Sequence, residues 1–244
     1  MQLTPDIATQ TRLKYWSGYL TATAGLIGLL AFAGWQFDVP WMRKPLDHLP
    51  SMNPATAAAF IFSAISFLLL TGKEPGTGRR AAGIFCAVIV LATGLLKVVH
   101  VFSNFDIPVD YFLYTGQLAS DIPGNVPNRM APGTAIGISL TGLSLLALYY
   151  RPVRKFIPVH LIALLMALTG LLTILGYIYK VRAFHGVFTY IPMAVLTAFC
   201  FLLFSLAFLF REPDSPVMRE FTTVYSGSNT SRLLLSAAII IPAT

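Results

Sequence analysis

The chain has 244 residues, of which 56% are hydrophobic and only 11% are charged, and its mean hydropathy is +0.71. A soluble domain carries roughly 25% charged residues, so this composition excludes a water-soluble globular fold. The net charge of +7 lies in short loops, where it sets orientation in a membrane, so the expected partner is a lipid bilayer and not a nucleic acid.

The apolar residues form long continuous runs rather than alternating ones, which favours helices over a closed barrel as the spanning structure. Residues 1–14 are a polar lead that we expect in the cytoplasm, and six membrane helices are predicted between residues 15 and 210. Their predicted starts lie near Tyr15, Pro54, Arg79, Pro132, Pro158 and Ile191. The sequence therefore predicts an all-α, polytopic transmembrane helical bundle.

The segment 211–244 begins as a polar cytoplasmic loop and ends in a seventh apolar run after Arg232, LLLSAAIIIPAT. This run has about a dozen residues, against the ~20 that a helix needs to cross a bilayer. We therefore expect a truncated seventh helix in a chain that is a fragment of a longer protein.

One motif recurs three times, at a predicted helix start each time: MNPATAAAF, MAPGTAIGI and MAVLTAFCF, which begin at Met52, Met130 and Met193. The copies keep methionine, threonine and alanine at the same offsets, and their threonines are Thr56, Thr134 and Thr197. A second motif, FDVP at 37–40 and FDIP at 105–108, comes before the first two copies. Because such self-similarity marks repeated structural units, we predict three two-helix units at about 15–71, 80–150 and 158–210.

The loop charges predict the orientation of the bundle. Eleven Lys and Arg residues lie on the side that holds the N-terminus, and five lie on the other side. Because cytoplasmic loops carry the excess of Lys and Arg, we expect the N-terminus in the cytoplasm. The loops at 36–52, 103–130 and 180–190 are then expected on the outer face.

The repeated helix starts are candidate ligand-binding elements at the predicted outer face. They would bring Thr56, Thr134 and Thr197 together with three helix N-termini, which favour anionic or carbonyl groups. The alternative role is structural, since proline suits the first helical turn and threonine bonds local backbone groups.

Lys97 and His100 share a face near the outer end of the third helix, because residues three apart are neighbours on a helix. An ionisable group inside a membrane helix is a functional candidate, although Lys97 is also close enough to the helix end to snorkel to the surface. The loop that follows supplies further candidates, which would close a pocket from above: Asp106, Asp110, Tyr111 and Tyr114. The two aspartates are also candidate partners for Lys97.

Motifs for catalysis and for metal binding are missing from this sequence. Its four histidines show no HExxH or CxxCH spacing, and it has no Gly-rich phosphate loop and no GxSxG. Cys86 and Cys200 both lie in predicted helices, so we expect no disulfide. The sequence therefore predicts no metal site and no catalytic residue, and it names no cofactor.

Six segments, taken in their order along the chain, resemble the N-terminal membrane region of bacterial sensor histidine kinases and diguanylate cyclases: GWQFDVP, MNPATAAAF, FDIPVDYFLY, MAPGTAIGI, GYIYKVRAFHGVFTYIPMAVLTAF and TSRLLLSAAIIIPAT. Those proteins often carry PAS domains after the membrane part. The resemblance implies an eight-helix unit in the bacterial inner membrane, cytoplasmic output domains, and a homodimer formed through those domains. The chain itself has no kinase, PAS or cyclase motif, so enzyme activity is left open.

We therefore expect a membrane-embedded sensory input module of a bacterial signal-transduction protein, which senses a small hydrophobic or amphipathic ligand or the state of the membrane. Two other classes stay open. One is a transporter or channel, in which internal repeats are common. The other is a quinone- or haem-binding membrane subunit of a redox complex.

Overall fold

The structure is a computed structural model that describes residues 7–46, 49–72, 76–103, 109–121, 128–150, 158–179, 192–212 and 218. Within these ranges every regular element is a helix. The helices are α1 (Ile7–Gln36), α2 (Pro40–Arg43), α3 (Pro54–Thr71), α4 (Thr77–Ser103), α5 (Thr115–Ser120), α6 (Pro132–Tyr149), α7 (Val159–Ile178) and α8 (Val195–Arg211). The predicted all-α class is confirmed.

Five of the described helices, α1, α3, α4, α6 and α7, are long and apolar enough to cross a membrane. α8 is an apolar helix of 17 residues, just shorter than those five. The chain is therefore a multi-pass membrane protein, as its composition predicts.

The longer helices pack as three pairs around a common centre. α1 pairs with α3, α4 with α6, and α7 with α8, and the pairs meet through α3–α4, α1–α8 and α6–α7. Within the spanning windows of α3 and α6, 56% of the residues are buried, against 33% in α1, α4 and α7. Ten of the 17 residues of α8 are buried as well. The inner layer therefore consists of α3, α6 and α8, the helices that begin with the repeated motif.

Within each pair, a glycine of the outer helix lies against the backbone of the inner helix. A Cβ added to that glycine would lie 2.9, 2.8 or 2.7 Å from the carbonyl oxygen of the alanine in the repeated motif. The glycine–alanine pairs are Gly28 with Ala57, Gly94 with Ala135, and Gly170 with Ala198. Small residues allow such close approach where no hydrophobic effect drives helix association in lipid. The bundle is thus built from repeated two-helix units that share one packing contact.

Aromatic rings fill the centre between α3 and α8. Phe60 of α3 packs edge-on against Phe201 at 5.3 Å between centroids and stacks with Phe204 at 5.8 Å. Gly137 of α6 makes room for the Phe201 ring, since a Cβ there would collide with it. Aromatic rings therefore fill the space between these inner helices at this level.

The structure differs from the predicted element boundaries in three places. α8 begins at Val195 rather than near Ile191, because Ala194 is extended and serves as its N-cap residue. α1 begins at Ile7, inside the predicted polar lead. The prediction missed its first residues, IATQTRLK, because they are helical but show no apolar pattern. Two of the loops that were predicted to face outward contain the short helices α2 and α5, whose lengths of 4 and 6 residues are too small to give a periodic signal. The predicted loop at 180–190 and the apolar run after Arg232 lie outside the described residues.

The Gly94–Ala135 contact makes a testable prediction about stability. In Gly94→Ala the new Cβ would lie 2.5 Å from the backbone nitrogen of Ser139 and 2.8 Å from the Ala135 carbonyl oxygen, so α4 must move away from α6. Overpacking of this kind costs about 1–3 kcal/mol. We expect a lower free energy of unfolding in mixed micelles. The matched control is Gly18→Ala in α1, where nothing lies within 4 Å. Equal stability of the two variants would contradict the packing described here.

Candidate functional site

The three inner helices begin with the same backbone geometry. The residues that precede them, Asn53, Ala131 and Ala194, have φ/ψ angles of −60°/141°, −62°/144° and −64°/143°. In each helix the N–H of the repeated alanine donates to the carbonyl of that preceding residue, at 2.9, 3.0 and 3.0 Å. The repeated motif therefore encodes one type of helix start, which the fold uses three times.

Two of these starts are held by an aromatic side chain of their own unit. The indole Nε1 of Trp35 donates to the carbonyl of Met52 at 2.8 Å, and the hydroxyl of Tyr177 donates to the carbonyl of Met193 at 2.8 Å. Trp35 and Tyr177 each lie seven residues after the packing glycine of their unit, so the two bonds are equivalent. The methionine of the motif is thus the point at which each start is anchored.

The third start, that of α6, is anchored through a buried ion pair. Lys97 Nζ lies 2.8 Å from Asp110 Oδ2, and the two side chains are 4% and 0% exposed. The same Oδ2 accepts the N–H of Met130 at 2.8 Å, while the Asp110 carbonyl accepts from Asn53 Nδ2 at 2.9 Å. Lys97 therefore has a partner inside the bundle, and Asp110 ties α4 to the starts of α3 and α6.

The FDVP motif ends α1 and orients the side chains around Trp35. Asp38 has a positive φ of 52°, and the Val39 N–H donates to the Gly34 carbonyl at 2.8 Å, which closes the last turn of the helix. Asp38 then pairs with Arg43 at 3.1 Å, and the Arg43 guanidinium lies 4.3 Å above the Trp35 ring. This motif therefore supports the anchoring of Met52 by Trp35.

The tyrosines of the loop after α4 pack against neighbouring elements. Tyr114 donates its hydroxyl to Gln36 Oε1 at 2.7 Å and stacks on Trp35 with centroids 6.4 Å apart. Tyr111 lies under the guanidinium of Arg129, at 4.1 Å from its ring centroid. The two rings therefore fix the loop to α1 and position Arg129.

Two further residues were predicted for this site, His100 and Asp106. His100 is half-buried, one turn beyond Lys97 on α4, and it does not line the pocket described next. Asp106 lies outside the described residues.

A pocket lies where the starts of α3, α6 and α8 meet. It has a volume of about 30 Å³, which is room for about two water molecules. Thr56, Thr134 and Thr197 all line it, so the structure brings together the three threonines of the repeated motif. The lining also includes Ser51, Asn53, Asn128, Arg129, Ala131 and Ala194. No Asp, Glu, His or Cys is among the described residues that line the pocket.

The hydroxyl groups in this pocket lack partners. Thr56, Thr134 and Thr197 are only 1%, 3% and 2% exposed, yet no hydrogen bond joins their hydroxyls to any residue that the structure describes. Ser51 Oγ is buried and unpaired as well. Elsewhere in the bundle, threonines such as Thr93 bond the carbonyl four residues earlier, here at 2.8 Å. Because buried polar groups are normally satisfied, these four hydroxyls indicate a site for water or a ligand.

Of the described lining residues, only the three threonines were predicted as site residues, and several polar ones were missed. Ser51, Asn128 and Arg129 each lie within two residues of the methionine of a repeated motif. The Asn128 amide donates to the Ser51 carbonyl at 3.3 Å and to Asp121 Oδ2 at 2.9 Å, which links the first unit to the second. Their position in the sequence directly before the motif could have predicted them, because the motif lines the pocket.

Comparison with protein-family models, with curated proteins and with solved structures finds no match to this chain. The structure therefore shows a multi-pass membrane protein with three repeated helix starts and a pocket between them.

The Lys97–Asp110 pair makes a prediction about stability. Lys97→Met leaves the Asp110 carboxylate buried without its cation, and breaking a buried pair in this way costs about 3–5 kcal/mol. We expect a matching loss in the free energy of unfolding, measured in mixed micelles. Lys97→Met combined with Asp110→Asn removes the uncompensated charge and keeps an acceptor for the Met130 N–H, so much of the loss should return. A double variant that is no more stable than Lys97→Met would contradict the pairing.

Proposed function

We propose that this protein is the membrane-embedded sensory input module of a bacterial signal-transduction protein of the histidine kinase or diguanylate cyclase type. The observation that carries the proposal is the pocket, because its three unpaired threonines come from three different two-helix units. A ligand that bonds all three binds best to one arrangement of the units. Its binding then shifts the population towards that arrangement, which is how a sensor converts occupancy into a signal.

The position of the pocket supports a sensor more than a transporter. Transporters place their substrate site near the middle of the membrane, at discontinuous helices. Here the pocket lies at the first turns of α3, α6 and α8, and aromatic rings fill the space deeper between α3 and α8. The absence of histidine from the described lining also gives no support to haem binding there.

The proposed arrangement in the cell follows from the loop charges and from the resemblance. The N-terminus lies in the cytoplasm of a bacterial inner membrane, so the pocket opens towards the outer face. Output domains follow in the cytoplasm and form the homodimer through which the signal is read. In this arrangement residues 1–14 and 211–244 are the cytoplasmic segments, and residues 15–210 form the transmembrane bundle between them in the sequence.

The test uses membranes from cells that express the full-length protein, assayed for phosphate transfer from ATP and for cyclic di-GMP synthesis from GTP. We expect the wild type to show one of the two activities. The double variant Thr134→Val/Thr197→Val should change that activity about fivefold or more, since couplings between sites have this magnitude. The control is Thr93→Val, which lies on α4 outside the pocket lining. The absence of both activities, or equal activity in the pocket variant and the wild type, would contradict the proposal.

A further inference from the structure

We infer that the pocket binds a carboxylate or another oxyanion of similar size, carried as the head group of a small amphipathic molecule. The inference rests on the proposed function, because it names the ligand class of the same pocket. It is drawn from the donors that face the pocket, from the sign of the charge around it and from its volume.

The donors come from side chains and from the backbone. Thr56, Thr134, Thr197 and Ser51 each bring a hydroxyl that has no partner among the described residues. The starts of α6 and α8 have no side-chain cap, whereas Asn53 caps α3 by accepting the Ala55 N–H at 2.9 Å. The uncapped first turns leave backbone N–H groups that need acceptors. An oxyanion supplies acceptors for both kinds of donor.

The charge around the pocket is positive. Three helix N-termini meet there, and each carries the equivalent of about half a positive charge. Arg129 lines the pocket, and in the described part of the chain its guanidinium stacks on Tyr111 without a carboxylate partner. The nearby carboxylate of Asp110 is neutralised by Lys97, its Oδ2 also accepts the Met130 N–H, and Asp110 is not among the lining residues of the pocket. A cation would therefore meet repulsion in this pocket, and an anion would not.

The volume limits how much of the ligand enters. Pockets for whole drug-sized molecules measure about 300–1,000 Å³, and this one measures about 30 Å³. A carboxylate group replaces the two waters that fit, while an apolar tail stays outside the pocket. The one threonine from each unit then converges on the oxygens of the head group. This arrangement explains why the threonine recurs at the same offset in all three units.

The test measures binding to the purified protein by its thermal unfolding. The probes are hexanoate, hexanol of the same length without charge, and inorganic phosphate. Hexanoate at tenfold its dissociation constant should raise the midpoint by about 3–6 °C, and hexanol should not. Phosphate distinguishes a free oxyanion from the head group of an amphipathic molecule. If phosphate stabilises the protein as well, the oxyanion alone is enough for binding. If only hexanoate stabilises it, the apolar tail contributes to binding. Stabilisation by neither anion, or by hexanol as strongly as by hexanoate, overturns the inference.

Variants tie the effect to the pocket. Thr134→Val and Thr197→Val should each weaken hexanoate binding about tenfold, which is the usual effect of losing a hydrogen bond to a charged group. Thr134→Ser keeps the hydroxyl and should bind like the wild type, as should Thr93→Val. Unchanged binding in both valine variants overturns the inference.

The two proposals fail separately. If hexanoate binds the pocket but neither hexanoate nor the threonine variants change the output activity, the sensory function is wrong and the anion site stands. If the threonine variants change the output while no anion binds, the sensory function stands and the ligand class is wrong.

Discussion

In each two-helix unit a glycine rests on the carbonyl of the repeated alanine, and this contact sets how close the outer helix comes to the inner one. The alanine lies in the first turn of the inner helix, directly after the threonine. The packing contact and the threonine therefore lie in the same turn of helix, so the contact also fixes the position of the threonine. Because the contact recurs three times, three helix starts arrive at the same level of the bundle, and their threonines meet.

The polar groups near this junction divide into two kinds. Lys97, Asp110 and Trp35 are buried and anchor the starts through the Lys97–Asp110 Oδ2 pair and the bonds to Met130 and Met52, so they act as positioning residues. Ser51 and the three repeated threonines are buried and unengaged. A membrane interior makes an unpaired polar group costly, so unpaired groups persist where something fills the space between them. The candidate site is marked by the convergence of four such hydroxyls on one pocket, since the buried, unpaired Ser144 Oγ and Asp110 Oδ1 belong to residues outside its lining.

Part of this arrangement could be predicted from the sequence, and part could not. Continuous apolar runs are enough to predict an all-α bundle, and a shared offset is enough to place Thr56, Thr134 and Thr197 on equivalent turns. The sequence left Asp106 and Asp110 as equal partners for Lys97, because the loop path decides between them. Arg129 has no pattern of its own, since its role depends on contact with Tyr111. Contacts between units could thus not be predicted from a single sequence.

The convergence of the inner helix starts can be measured directly by cross-linking. Thr134→Cys with Thr197→Cys, in a chain whose Cys86 and Cys200 are replaced by alanine, places two thiols in the same pocket. A short bifunctional thiol reagent should join them within one chain in membranes, as seen by intact mass. The control pairs Thr197→Cys with Thr71→Cys, which lies ~20 Å down α3 from the pocket. Cross-linking of the pocket pair alone is the predicted result, and failure of that pair to cross-link while both thiols remain reactive would contradict the account.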